Sequence, residues 1–197
     1  MGLPANLYID KEDKQTVIFA YPNLFSDAST LQVIRLAAWT PAQLVDIVPY
    51  SAEQYPKLFK QKEVSVLTVA PERTFWEKAT ILHHEANRPK HLSMPQRYSR
   101  HYYDLYCMSK SPVKEKAFAQ LSLLQKVVDF KMKFYPRAWA HYPEAVPATL
   151  KLLPPSYRLS ALQEDYSAMR NMLYGEIPSF ETMMEAVGEL EKEIHAL

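Results

Sequence analysis

The sequence predicts an α+β fold, with a small N-terminal sheet of three to four strands followed by about five helices. Short runs rich in β-branched residues fill the first 70 positions, and apolar residues recur at helical spacing from Pro71 onward. Strands and helices do not alternate along the chain, which favours this class over repeated strand–helix–strand units. The change of pattern divides the chain into a sheet region, residues 1–70, and a helical region, residues 71–197.

Turn-forming residues separate the apolar runs of the sheet region, chiefly Pro, Asn, Asp and Ser. The runs between these turns have the length and composition of strands. We predict strands over 16–20, 31–37, 43–48 and 64–69.

The first predicted helix runs from about residue 72 to residue 87. Pro71 suits the first helical position, and Arg88-Pro89 ends the helix because a residue before proline leaves helical geometry. Its expected buried stripe is Phe75, Ala79, Leu82 and Ala86. Further helices are predicted over about 96–108, 113–134, 159–173 and 179–196. The third helix has the apolar residues Phe118, Leu121, Leu124, Val128 and Met132.

Composition excludes several classes of protein. Only Gly2, Gly175 and Gly188 are glycines, so no Gly-rich phosphate loop exists between residues 3 and 174. The net charge of +1 favours neither a nucleic acid nor a membrane as partner. The single Cys107 permits no internal disulfide and no apolar run approaches the length of a membrane span, so we expect a cytoplasmic protein.

Lys78 lies beside the apolar stripe of the first predicted helix, not opposite it. It either points into a cleft, where an ammonium group would meet a phosphate, or lays its aliphatic stem over apolar surface. Arg73 and Glu77 form an i,i+4 pair, which we place on the outer face as a support for the helix.

Arg97, His101 and Asp104 are spaced i, i+4, i+7 in the second predicted helix, on one flank of its apolar stripe. A carboxylate one turn after a histidine can orient the ring, and a guanidinium suits a phosphate or a carboxylate. The alternative is a solvated helix face with stabilising ion pairs. Adjacent His83 and His84 point in divergent directions, so the histidines predict no metal site.

Two segments, PERTFWEKATILH and RYSRHYYDLYCM, resemble the C-terminal half of the AbiEii/AbiGii family of abortive-infection toxins. These are nucleotidyltransferase-like proteins, and the similarity extends over essentially the whole chain. The resemblance implies a nucleoside triphosphate and Mg²⁺ as cofactors, and an RNA or a protein as acceptor. It also implies an AbiEi-like antitoxin as genetic partner, and makes residues 1–70 part of a nucleotidyltransferase-like sheet.

Matched position by position, the family's Lys motif falls on Lys78 within TFWEK, and its Asp motif falls on Asp104 within RHYYDL. The resemblance thereby implies that these two residues are catalytic. Lys78 would contact nucleotide phosphate and Asp104 would position the acceptor or a basic partner. Arg73, Arg97 and His101 are the expected substrate-binding residues around them.

The family's Gly-Ser and D-x-D motifs do not occur in these 197 residues, and Ala37 or Ala38 stands where a further acidic residue is typical. We therefore expect a truncated toxin that does not transfer nucleotides by itself. The alternative is a non-catalytic binding or scaffold protein, or an inactive remnant. The uncovered sheet edges would favour a homodimer.

Overall fold

The computed structural model describes residues 41–173 and 175–197 with their side chains, and residues 6–9, 16–22 and 29–35 as backbone strands. Two compact units divide the chain, Met1–Trp39 and Thr40–Leu197. The α+β class predicted from the sequence is confirmed, whereas the number and arrangement of its elements differ from the prediction.

The first unit contains a three-stranded antiparallel sheet in the order β1-β2-β3. Its strands are β1 (Asn6–Ile9), β2 (Thr16–Pro22) and β3 (Ser29–Arg35). Phe19 in β2 lies opposite Leu7 on one side and Gln32 on the other. The predicted runs over 16–20 and 31–37 correspond to β2 and β3, although residues 36–37 lie outside the described residues. The prediction missed β1, which is only four residues long.

The second unit begins with a separate two-stranded antiparallel sheet, formed by β4 (Ala42–Ile47) and β5 (Val64–Val69). Val45 lies opposite Val66 in this hairpin. Helix α1 (Tyr50–Gln54) and a 3-10 turn connect the two strands. The prediction of one small sheet was therefore wrong, because the described strands pair within each unit into two sheets. Helix α1 was not predicted either, since five residues are too few to show helical periodicity.

Six longer stretches of helix follow, and their starts and ends correct the predicted boundaries. They are α2 (Pro71–Ala86), α3 (Ser99–Ser109), α4 (Val113–Phe118), α5 (Leu121–Phe134), α6 (Leu159–Ala168) and α7 (Phe180–His195). The helix predicted over 113–134 is divided in two, because Gln120 leaves helical geometry with φ −126° and ψ 51°. Helix α3 begins at Ser99 and not near residue 96, because Arg97 has a left-handed φ of 60°.

Helix α2 is central to the second unit and packs against α3, α4 and α5. Phe75, Ala79 and Leu82 of the predicted stripe are fully buried, whereas Ala86 is half-buried. Trp76 is buried beside them and donates its indole N–H to the carbonyl of Ala117, 3.1 Å away. The core of this unit continues into α3, α5 and α7 through Tyr102, Leu105, Leu124, Val127, Val128, Val187 and Ile194.

Near the C-terminal end of α5, an apolar residue is exposed and a charged residue is buried. Met132 is 39% exposed, and its neighbour Lys131 is buried instead. Lys131 lies three and four residues after Val128 and Val127, which puts it on the buried face of the helix.

The connection from α5 to α6 is a series of 3-10 turns that lies against α2. His83 of α2 accepts a hydrogen bond from the backbone N–H of Lys151 at Nδ1, 3.0 Å away, and its Nε2 lies 3.1 Å from the carbonyl of His141. Because Nδ1 is an acceptor, the ring proton is on Nε2 and the His141 bond is a donation. One buried imidazole therefore fixes two points of an irregular segment.

Asp165 of α6 holds the N-terminus of α3. Its carboxylate accepts hydrogen bonds from the backbone N–H groups of Arg97 and Ser99, at 2.6 and 2.9 Å, and from the Ser99 hydroxyl at 2.5 Å. An anion at this end of a helix is favoured by the helix dipole and by the unpaired N–H groups there.

Replacing Asp165 with alanine is expected to lower the free energy of unfolding by about 2 kcal/mol, because three donors to a charged acceptor lose their partner. Urea denaturation measures the change. The neighbouring exposed Glu164 provides the control, and Glu164→Ala should cost less than about 0.5 kcal/mol. Equal effects of the two substitutions would contradict the capping role of Asp165.

Candidate functional site

Lys78 of α2 and Asp104 of α3 form an ion pair between two helices. The Nζ atom of Lys78 lies 2.6 Å from Oδ2 of Asp104. The Lys78 side chain is 20% exposed and that of Asp104 is 39% exposed, so the pair lies at the rim of the helical unit. Two residues on the flanks of separate apolar stripes are thus brought together at a position that solvent reaches.

His101 is the second partner of the Lys78 ammonium group. Its Nδ1 lies 3.2 Å from Lys78 Nζ, and the ring is buried with the Tyr98 ring at its edge. Burial lowers the pKa of His101 to about 3, and the charge of Lys78 acts in the same direction. The imidazole is therefore neutral near pH 7, and its Nδ1 lone pair accepts a hydrogen bond from the ammonium group.

Lys131 of α5 is a third member of this cluster, and sequence reasoning missed it. Its Nζ donates to the backbone carbonyl of Glu77, 3.1 Å away, in the turn of α2 that bears Lys78. Burial lowers the pKa of Lys131 to about 7, the Glu77 carboxylate opposes this shift, and the charge of Lys78 adds to it. A lysine at the spacing of Leu124 and Val127 was the signal in the sequence, since it puts an ammonium group at a core position.

Arg73 is buried, so the prediction that it lies on the outer face of α2 was wrong. Its side chain is 3% exposed, and its Nε donates to Glu77 Oε1 at 2.9 Å. The guanidinium group lies 5.7 Å from the centre of the Phe130 ring of α5. The predicted i,i+4 pair is confirmed, but the pair faces α5 because Phe130 and Lys131 cover that side of α2.

Arg97 lies apart from the Lys78 cluster. It is exposed and precedes α3, so the helical spacing that would align it with His101 and Asp104 does not hold. Its backbone is fixed by Asp165. Arg97 instead lines a cleft of about 690 Å³ that also involves Arg158.

Glu85, which shares the flank of Lys78 on α2, belongs to a second network. It is buried and accepts two hydrogen bonds from Arg88, at 2.7 and 2.8 Å. The Arg88 guanidinium lies 4.7 Å from the centre of the Trp139 ring. His84, next to this pair, is buried, and burial lowers its pKa to about 3.

Among the described side chains, no three His, Cys, Asp or Glu residues lie close enough together to hold a metal ion. The Oδ2 atom of the Asp104 carboxylate is bound to Lys78. Ala37 and Ala38 lie outside the described residues. None of the described helices combines the length and the apolar character that crossing a bilayer requires.

The family model of the AbiEii nucleotidyl transferase toxins, of type IV toxin–antitoxin systems, matches residues 4–186. The chain belongs to this family. The resemblance seen in the sequence is thereby confirmed, and membership of a toxin–antitoxin family implies an antitoxin partner. No curated protein and no solved structure matches the chain significantly.

The neutral buried histidines predict a loss of stability in mild acid. An unfolded histidine binds a proton below about pH 6.5, whereas folded His84 and His101 stay neutral to about pH 3. The free energy of unfolding should therefore fall as the pH drops from 6.5 to 3, by about 1.4 kcal/mol per pH unit for each proton.

Urea denaturation across this pH range measures how the free energy of unfolding changes with pH. His101→Gln should reduce this slope by the contribution of one proton, about 1.4 kcal/mol per pH unit. Exposed His91 provides the matched control, and His101→Gln should reduce the slope more than His91→Gln does, because His101 is buried. A His101→Gln protein with the wild-type slope would show that the His101 ring charges in the folded state.

Proposed function

We propose that this family member binds the phosphate groups of a nucleoside triphosphate through Lys78, with Asp104 next to it to orient the ammonium group and an acceptor. The observation that favours this function is the position of the Lys78–Asp104 pair at the rim of α2 and α3, with side chains 20% and 39% exposed. A fully buried pair would have no access to a ligand, and a fully exposed pair would be screened by solvent.

The hydrogen bonds of Lys78 leave room for an anion. An ammonium group has three N–H donors. Within the described residues, Asp104 and His101 use two of them, at 2.6 and 3.2 Å. The third is available to a phosphate oxygen, and a hydrogen bond between two charged groups is stronger than a neutral one.

His101 supports this function as a neutral acceptor. Because its pKa is lowered to about 3, the ring adds no positive charge that would displace Lys78. Its lone pair instead directs one N–H of the ammonium group inward. We propose that Arg73 contributes to the same site only through Glu77 and its packing on α5, and that Arg97 binds another part of the substrate in the separate cleft.

The described residues contain no cluster of three His, Cys, Asp or Glu side chains that could hold a metal ion, and the 197 residues contain no D-x-D pair. We propose that the chain binds nucleotide but does not complete the transfer with these residues alone. In this proposal, residues 1–70 form part of a nucleotidyltransferase-like sheet region. Residues 71–197 form the helical region that bears the Lys and Asp motifs, and the acceptor is an RNA or a protein.

A scaffold function is the second candidate, and the same ion pair favours it. The 2.6 Å contact of Lys78 with Asp104 joins α2 to α3, so it also serves as a structural link between two helices. In a scaffold, the helical surfaces would bind a partner such as the antitoxin and the ion pair would have no ligand. Loss of the pair would then change stability and leave nucleotide binding and any cellular phenotype unaffected.

Isothermal titration of the chain with ATP, GTP, CTP and UTP in the presence of Mg²⁺ tests the first function. We expect heat of binding with at least one nucleotide, and a loss of affinity of about tenfold or more in Lys78→Met, because an ammonium–phosphate contact is removed. Lys126 is exposed on α5, and Lys126→Met is the matched control with unchanged affinity.

Two outcomes of this titration contradict the proposal. Silence with all four nucleotides rules out binding by this chain. Equal affinity of wild type and Lys78→Met places the nucleotide elsewhere and leaves the ion pair as a link between helices.

A further inference from the structure

Lys131 occupies a buried position, where the desolvation of its ammonium group costs free energy. It is 8% exposed on the core face of α5, next to Val127 and Val128. Its Nζ lies 3.1 Å from the carbonyl oxygen of Glu77, the residue that precedes Lys78 in α2. An ammonium group is therefore held against the helical turn from which Lys78 projects.

The charges around Lys131 do not balance within the described residues. Arg73 is paired with Glu77 and Lys78 is paired with Asp104. Lys131 has a backbone carbonyl as its acceptor. Three cations therefore share two carboxylates, and the excess positive charge lies against the turn of α2 that bears Lys78.

The groups that face Lys131 come from two helices. They are Arg73, Glu77, Lys78 and His84 of α2, and His101 of α3. Helix α4 and the turn Tyr142–Glu144 also pack near α5. The charged residues of α4 are Lys114, Glu115 and Lys116, and Lys114 forms ion pairs with Glu193 and Glu115. Glu144 of the turn forms an ion pair with His141.

We propose that Lys131 is a positioning residue for Lys78, and that a proton on Lys131 strengthens the binding of a phosphate-bearing anion by Lys78. The proposal rests on the phosphate contact of Lys78 proposed above. A charged Lys131 repels the Lys78 ammonium group toward the rim and raises the positive potential there. A neutral Lys131 still donates to the Glu77 carbonyl, but it does not repel Lys78 and does not raise the potential at the rim.

The protonation state of Lys131 changes near neutral pH. Burial lowers its pKa to about 7, whereas the facing histidines His84 and His101 have pKa values of about 3 and stay neutral throughout that range. Because the proton is lost as the pH rises through about 7, the affinity for an anion should fall in the same direction.

The experiment compares wild type with Lys131→Met, which preserves the length of the side chain without its charge, and with the exposed control Lys126→Met. Inorganic tripolyphosphate is the probe, since it is the anionic part common to the four nucleotides. Calorimetry should show about fivefold tighter binding by wild type than by Lys131→Met near pH 6, and nearly equal binding near pH 8.5. Both proteins bind the same probe at each pH, so the ratio of their affinities does not depend on the protonation of tripolyphosphate itself.

A second measurement requires no ligand. In protein labelled with ¹³C at the lysine ε-carbons, the Lys131 signal should titrate with a midpoint near pH 7. The Lys78 signal should shift with the same midpoint in wild type and lose that shift in Lys131→Met. A Lys131 midpoint above about pH 9, close to the ordinary lysine value, overturns the proposal.

The outcomes separate this inference from the proposed function. Binding that is lost in Lys78→Met but has the same pH dependence in wild type and Lys131→Met overturns the role of Lys131 alone. Absence of tripolyphosphate and nucleotide binding in wild type overturns the proposed function and the affinity effect together. In that case, a shared midpoint of the two lysine signals still supports positioning, and separate midpoints contradict it.

Discussion

Helix α2 brings charged and polar side chains into the interior of the second unit, and each of them needs a partner there. An unpaired charge in a protein interior costs several kcal/mol, so the surrounding elements are arranged to supply those partners. Arg73 is paired with Glu77 within the helix, and His83 holds the irregular segment that follows α5. Lys78 obtains its partner from α3. The packing of this unit thus depends on polar contacts of α2 as much as on its apolar stripe.

The two ion pairs of α2 differ in their exposure to solvent, and this difference determines which of them a ligand can reach. The Arg73–Glu77 pair faces α5, with the Arg73 side chain 3% exposed, so it is well placed for stability and poorly placed for a ligand. The Lys78–Asp104 pair is more exposed at both partners. It combines the charge of an ion pair with access for an anion, which is why we propose it as the anion-binding site.

The sequence predicts the second unit best where periodicity is strong and local. The boundaries of α2 follow from the prolines near its two ends, and the burial of Phe75 and Leu82 follows from their helical spacing. The same spacing gives the flanking position of Lys78. Arg97 was placed wrongly because a single left-handed residue starts α3 later than the pattern indicates. Lys131 was missed because charged residues are expected on the outer face, although its spacing from Leu124 and Val127 puts it on the buried face of α5 that packs on α2.

Lys131 raises the question of why a core position holds a lysine at all. Methionine has a similar length and would fill the same space without the cost of desolvating an ammonium group. The lowered pKa of Lys131 is the sign of that cost, and its hydrogen bond to the Glu77 carbonyl offsets only a part of it. Violations of a local rule for stability concentrate at functional sites, where another advantage compensates for them. In the role that we propose for Lys131 this advantage is electrostatic, because its ammonium group lies against the turn of α2 from which Lys78 projects.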